Sequence, residues 1–280
     1  MNIDVKCIAT DLDGTLLQNR GLISDRTRAA LEAVIAKGIA YVPLSGRPYT
    51  ALPSSIFDID GIQYCSTSNG ASIQEFKTGK RLNAMLLPAA ASRKIVACLG
   101  NFFRSGDITY EAFIEGQAYA QTDYVARPTA YGIPADIDEY IRKERRPVPY
   151  IIDFIYDHAA ELDGISLILK NPGMQGMLYR HLERNVEHIY ATSAVDYRIE
   201  ISNEDTGKAN SLKKILEYLD IPLENVLAFG DGDNDADMLR LAGIGAALEN
   251  ATESCKAAAD VVIGRYDAQA PAAYIEDHIL

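Results

Sequence analysis

Cysteine is scarce in this sequence, and its four residues, Cys7, Cys65, Cys98 and Cys255, form no CxxC pair and fall at no zinc-finger spacing. They read as small buried apolar residues, in keeping with a reducing compartment. No apolar run approaches ~18 residues, so no membrane-spanning helix is expected. The chain does not open on a positive region followed by an apolar stretch, so no signal peptide is expected and the expected location is the cytoplasm. Positive charge is also short: Lys and Arg number 27 against 39 Asp and Glu, a formal net charge of −12. That balance repels nucleic acid and acidic membrane surfaces. It leaves room for a small phosphorylated metabolite, because a bound divalent cation and a few placed Lys or Arg side chains reverse the field locally. The histidines, His158, His181, His188 and His278, show no metal-ligand spacing. There is no internal repeat, low-complexity tract or Gly/Ser linker, and nothing fixes an oligomeric state.

What is present is a chain of 280 residues, long enough for two domains of ordinary size. Val5 to Thr10 is a compact apolar run with a β-branched bias, the pattern of a strand buried on both faces. Ser24 can cap a helix carrying Ala30, Leu31, Val34 and Ile35, which Gly38 stops. Ile39 to Leu44 and Ile62 to Thr67 are further buried strands. The pattern resumes late in the chain. A helix is marked by Ala209, Leu212, Ile215, Leu216 and Leu219, followed by a strand at Asn225 to Phe229, a helix at Asp235 to Leu241 and strands at Ile244 to Leu248 and Asp260 to Ile263. Both ends therefore read as parts of one α/β domain, a doubly wound parallel sheet over residues 1–84 and 197–280. Residues 85–196 differ. They alternate more openly (Ile108, Tyr110, Ala112, Ile114), are rich in Tyr and hold helix candidates at Pro88 to Leu99 and Ala135 to Arg142. This is the pattern of an inserted α+β domain.

In an open parallel sheet, ligands bind at the carboxyl ends of the strands. Those ends carry Asp11 and Asp13 with Gly14-Thr15, then Ser45-Gly46-Arg47, then Ser68-Asn69-Gly70, and late in the chain Gly230-Asp231-Gly232-Asp233-Asn234-Asp235. Carboxylates at this density repel one another, and the usual remedy is a hard cation bound through oxygen. Mg2+ suits Asp11 with Asp231, and Asp235 is a further candidate. Two carboxylates spaced as Asp11 and Asp13 can divide labour, one as nucleophile and one as proton shuttle. The Gly230–Gly232 segment lacks the third glycine of a dinucleotide fingerprint. Taken singly, Asp13-Gly14 is a turn, Lys208 a solvated helix residue and Ser45 an N-cap for a helix after Pro48. Arg47 fits either the lining of an entrance or a surface pair, and Asn69 either a pocket or a turn.

Together these residues resemble the haloacid dehalogenase superfamily of phosphohydrolases, in its Cof-like branch. Asp11-Leu12-Asp13-Gly14-Thr15 looks like the first motif, and Leu44-Ser45-Gly46-Arg47-Pro48 like the second. Lys208 in Thr206-Gly207-Lys208-Ala209 falls at the third, and Gly230 to Asp235 at the fourth. The resemblance implies a Rossmann-like core with an α+β cap inserted between the second and third motifs. It implies a magnesium-dependent phosphatase of small phosphomonoesters, sugar phosphates or phosphorylated cofactors, with a phosphosugar mutase or a catalytically silent binding protein as alternatives. It assigns Asp11 as nucleophile forming an aspartyl-phosphate, and Asp13 as general acid and base. Mg2+ would be held by the Asp11 carboxylate, the Asp13 carbonyl and Asp231, with Asp235 close by. Ser45, Gly46, Arg47, Lys208 and Asn234 would hold the substrate's phosphoryl group. A cap closes over such a site and reads the leaving group. Glu249 stands where the branch commonly has glycine, in a segment, Gly245 to Ala251, expected to lie clear of the chemistry.

Overall fold

The computed structural model describes residues 4–18, 21–193 and 195–280. Along these residues the strands are β1 (Cys7–Thr10), β2 (Ala40–Pro43), β3 (Tyr64–Thr67), β4 (Ser72–Glu75), β5 (Arg81–Ala84), β6 (Ile108–Ile114), β7 (Gln117–Gln121), β8 (Arg145–Val148), β9 (Gly164–Leu169), β10 (Ile189–Thr192), β11 (Arg198–Asn203), β12 (Val226–Gly230), β13 (Ile244–Leu248) and β14 (Val261–Ile263). The chain divides into two compact units. The first comprises residues 1–47, 52–83 and 207–280, the second residues 48–51 and 84–206.

The first unit is α/β and doubly wound. Its main sheet runs β14-β13-β12-β1-β2, every pair parallel. Alternate residues of a buried strand face opposite layers, and both layers are apolar here. Cys7 and Ala9 join Leu212, Ile215, Met238 and Leu239 of the helices Lys208–Leu219 and Ala236–Leu241. On the other face Ile8, Leu227 and Phe229 are fully buried, and the Phe229 ring meets Tyr274 of the helix Ala270–His278 edge-on at 5.8 Å. The helix Asp25–Ala36 begins where Ser24 accepts from the Thr27 amide at 3.1 Å, which satisfies one of its orphan donors. β3 extends the sheet beyond β2 through a parallel bridge between Leu44 and Ser66. It also pairs antiparallel with β4 in the small sheet β3-β4-β5.

This strand order puts a topological switch point between β1 and β12. The connection after β1 leads to β2 on one side, and the later strands build outward on the other. The crevice such a reversal opens lies at the carboxyl ends of those two strands. Asp11 follows β1 there, and its amide continues the ladder by donating to the Phe229 carbonyl at 3.0 Å.

The second unit is α+β. Its sheet runs β10-β11-β9-β6-β7-β8, antiparallel except for the parallel pair β7 and β8. One face is apolar. Tyr110, Ala112, Leu167 and Ile199 pack with Ile95, Leu99, Ile155, Leu178 and Leu182 from the helices Ala89–Ser105, Ile151–Asp157 and Gln175–Asn185. The opposite face buries a charged group: Arg145 clasps Glu111 through Nε at 2.9 Å and Nη2 at 3.2 Å, and Tyr124 donates to the same carboxylate at 2.9 Å. The sequence-based division at 196 falls short of this unit's end, because β11 lies beyond that point and pairs with β9 and β10. Among the described residues, no helix is long and apolar enough to cross a membrane.

Candidate active site

Four strand ends of the first unit each deliver one part of a polar cluster. Asp11 and the loop to Thr15 come from β1, and Ser45 to Arg47 from β2. Ser68 to Gly70 come from β3, and Asp231 to Asp235 from β12. Lys208 is the first residue of its helix. Its aliphatic stem and ammonium are fully buried, and Nζ donates to Asp11 Oδ1 at 2.5 Å and to Asp235 Oδ1 at 2.6 Å. One ammonium thus ties the two halves of the chain together. Among the described residues, Asp11, Asp231 and Asp235 offer carboxylate oxygens all within 4.8 Å of one another.

The surroundings of each carboxylate differ. Thr15 donates to Asp231 Oδ1 at 2.8 Å, and Asn250 donates to Asp231 Oδ2 at 3.2 Å and to the Gly14 carbonyl at 2.9 Å. Asp235 has both oxygens engaged, Oδ1 by Lys208 and Oδ2 by the amides of Asp231 at 3.0 Å and Gly232 at 2.9 Å. Asp235 therefore shapes the loop as well as adding charge. Gly14 sits at a φ of +84°, and a Cβ there would stand 2.3 Å from Asp231 Oδ2. Only glycine allows the two loops this approach.

The electrostatics follow from burial. Removal from water pushes the Asp11 carboxyl well above its ordinary range. The Lys208 ammonium opposes that rise, while Asp235, Asp231 and Asp13 add to it. Burial, then Asp235, push the Asp231 carboxyl up to about 6, against the Thr15 hydrogen bond and Lys208. For Lys208, burial alone would depress the ammonium, but Asp11 and Asp235 outweigh it and hold the group above its ordinary value. Three carboxylates thus face one ammonium, with two negative charges in excess when all are ionised. An all-oxygen donor set with that excess fits a small divalent cation such as Mg2+. Nothing in it matches a thiolate or imidazole site.

The other residues singled out from sequence fall in the same unit. Ser45 is buried at the end of β2, and its Oγ accepts from the Arg47 amide at 3.0 Å, so it closes a turn instead of capping a long helix. Gly46 lies against Asn69, where a Cβ would come within 3.1 Å of Oδ1. Asn69 is held at a φ of +52°, and its Oδ1 accepts from Asn234 Nδ2 at 2.9 Å. Its backbone also receives the Gly207 amide at 2.9 Å and donates to the Ser45 carbonyl at 3.1 Å. Asn69 therefore joins three of the strand-end loops. Arg47 forms a two-pronged pair with Asp13, Nε to Oδ2 at 2.7 Å and Nη2 to Oδ1 at 2.6 Å. Asn250 corrects the expectation that Gly245 to Ala251 lies clear of the chemistry, since its amide reaches Asp231. A lone Asn after β13 gives no signal in sequence. Its importance arises because β13 is β12's parallel neighbour, which brings the two strand-end loops together.

The chain is similar to known proteins over nearly its whole length. The family model described as haloacid dehalogenase-like hydrolase matches residues 8–275. The 5-amino-6-(5-phospho-D-ribitylamino)uracil phosphatase YwtE of Bacillus subtilis is 25% identical over 97% of this chain and 97% of its own. The pyridoxal phosphate phosphatase YbhA of Escherichia coli is 25% identical over 98% of this chain and 99% of its own. The solved structure of a haloacid dehalogenase-like hydrolase from Bacteroides thetaiotaomicron is 25% identical, with a TM-score of 0.76, covering 98% of this chain and 99% of that one.

Proposed function

This chain belongs to the haloacid dehalogenase-like hydrolases, in their Cof-like branch, and is a phosphoric monoester hydrolase; from that premise we propose a magnesium-dependent phosphatase of small phosphomonoesters that works through an aspartyl-phosphate on Asp11. The observation that carries this is the buried Asp11, tied to Lys208 at 2.5 Å beside Asp231 and Asp235.

Phosphoryl transfer asks for positioning and charge neutralisation more than for a strong base. Asp11 attacks phosphorus, and the bond to the leaving oxygen breaks while Asp13 gives that oxygen a proton. Asp13 then takes a proton from the water that attacks phosphorus, and Asp11 departs as the carboxylate. Lys208 keeps Asp11 oriented and offers positive charge to the transferring group. Ser45 Oγ, the Gly46 amide and the second amide hydrogen of Asn234 are the neutral donors for the phosphoryl oxygens. Mg2+, held by Asp11, Asp231 and the Asp13 carbonyl with Asp235 behind them, would supply further neutralisation of phosphoryl charge when bound.

Sugar phosphates or phosphorylated cofactors are the proposed substrate class. The two phosphatases above are named for a ribityl phosphate and for pyridoxal phosphate, which supports both. Those names favour transfer to water over the mutase alternative. The 84–206 part of the second unit is the proposed cap, as an α+β insertion between the second and third motifs. A cytoplasmic setting belongs to the same proposal, supported by four unpaired cysteines. The test is Asp11→Asn, which should abolish Mg2+-dependent phosphate release from an aryl phosphate while circular dichroism shows an intact fold. Turnover near the wild-type level would overturn the assignment.

A further inference from the structure

We propose that Arg47 is a positioning residue that aims the Asp13 carboxyl at the leaving-group oxygen, acting through Asp13 and not through the substrate's phosphoryl group. The inference rests on the roles proposed above for Asp11 and Asp13. Asp13 needs an orienting partner. Its side chain is 49% exposed, on a loop that has already left β1. A general acid must come within hydrogen-bond reach of the oxygen it protonates, and a half-exposed carboxylate spreads over several rotamers unless something fixes it.

Arg47 supplies that partner, and it is itself well held. Its amide donates to Ser45 Oγ at 3.0 Å, its carbonyl accepts from the Ser68 amide at 2.9 Å, and Pro48 restricts its backbone from the far side. The guanidinium is 19% exposed and meets both Asp13 oxygens at 2.7 and 2.6 Å. This fork-to-fork pairing fixes the plane of a carboxyl as well as its place, which a point charge does not do. Each carboxyl oxygen keeps a second lone-pair direction beyond the one facing Arg47. In the first step Asp11 forms a bond to phosphorus, the phosphorus–oxygen bond to the leaving group breaks, and its electron pair stays on the leaving oxygen. That oxygen then receives the proton from Asp13 along the direction Arg47 leaves open.

A residue acting this way matters in proportion to the leaving group's need for a proton. An alkoxide needs one far more than a nitrophenolate does. A residue that grips the phosphoryl group instead matters equally for both, because the phosphoryl group is the same. The experiment measures kcat and KM with Mg2+ for 4-nitrophenyl phosphate and for glycerol phosphate. The proteins are wild type, Arg47→Ala and Arg47→Lys, with 4-nitrophenyl phosphate also run for Arg47→Ala in an Asp13→Asn background. Arg47→Ala should lose about tenfold more kcat on the alkyl than on the aryl ester, within the range general acids contribute. Arg47→Lys should fail to restore alkyl turnover, and Arg47→Ala should add nothing once Asp13 is Asn. Equal losses on both esters, a raised KM, rescue by Lys and additivity with Asp13→Asn would overturn the proposal and place Arg47 on the phosphoryl group. Asp11→Asn separates the two levels. If it is inactive while the Arg47 variants show no leaving-group split, only the Arg47 proposal falls; if it stays active, both fall.

Discussion

Replacing Lys208 with Met keeps a side chain of similar length and removes an ammonium that touches both Asp11 and Asp235. In the wild type that ammonium is fully buried and makes charge-assisted contacts at 2.5 and 2.6 Å. Removing one partner of a buried ion pair leaves an uncompensated charge and costs about 3–5 kcal/mol. Two carboxylates lose their partner here, which argues for the upper half of that range. Uptake of a proton by Asp11, whose pKa already lies above its ordinary value, limits the loss. The stability deficit should therefore be largest near neutral pH and shrink as acid protonates the cluster. It should also narrow when Mg2+ replaces the chelator, because a cation returns to the site. Urea unfolding of both proteins in chelator and in Mg2+, at pH 5 and 7.5, measures these quantities. Phosphate release should fall about a hundredfold or more, the usual cost of removing a group that stabilises developing charge. A Lys208→Met protein as stable as wild type in chelator at pH 7.5 would show that Asp11 and Asp235 do not depend on Lys208.

Other outcomes follow from the same physics. Burial alone would raise the Glu111 carboxyl, but Arg145 and Arg198 outweigh it and hold the group at about 2, below its ordinary 4.5. A depressed carboxyl stabilises the fold above pH 4.5, and that contribution is lost as pH falls from there toward about 2, on the order of 3 kcal/mol in all. The stability gap between wild type and Glu111→Gln, from urea melts across this window, should shrink with acid; a constant gap would contradict the pairing. Asn250→Ala frees one side of Asp231 and should weaken Mg2+ binding about tenfold, the usual effect of losing a hydrogen-bond partner behind a metal ligand. Calorimetry with Mg2+ alone reads this directly, and an unchanged Kd would mean that Asn250 merely ties loops together.

The sequence revealed different parts of the fold unequally. Buried parallel strands such as Cys7–Thr10 and Val226–Gly230 are near-continuous apolar runs, so they were visible, and so were the polar residues that end them. The sequence pattern predicts a helix that stops at Leu99, whereas the helix Ala89–Ser105 continues: Phe102 and Phe103 still pack against the core and Gly106, at a φ of +77°, ends it. Chain pattern could not show which strands lie side by side. That adjacency brings Asn250 to Asp231, and β11 into the second unit's sheet. Arg47 reads from sequence as either the lining of an entrance or a surface pair, because a guanidinium on a long stem reaches many partners; in the structure it pairs with Asp13. Asp-Gly at residues 13–14 is a turn by its local chemistry alone, and only Asp231 against Gly14 shows why the turn must be that tight.

In the mechanism proposed for this chain, Asp11 takes the phosphoryl group during turnover. Acid quenching in the first milliseconds after mixing with Mg2+ and a labelled aryl phosphate, followed by peptide mass spectrometry, tests it directly. An acid-stable, hydroxylamine-labile phosphoryl group should appear on the peptide containing Asp11 and be absent from Asp11→Asn. Label on any other residue, or rapid turnover by the Asp11→Asn protein, would contradict it.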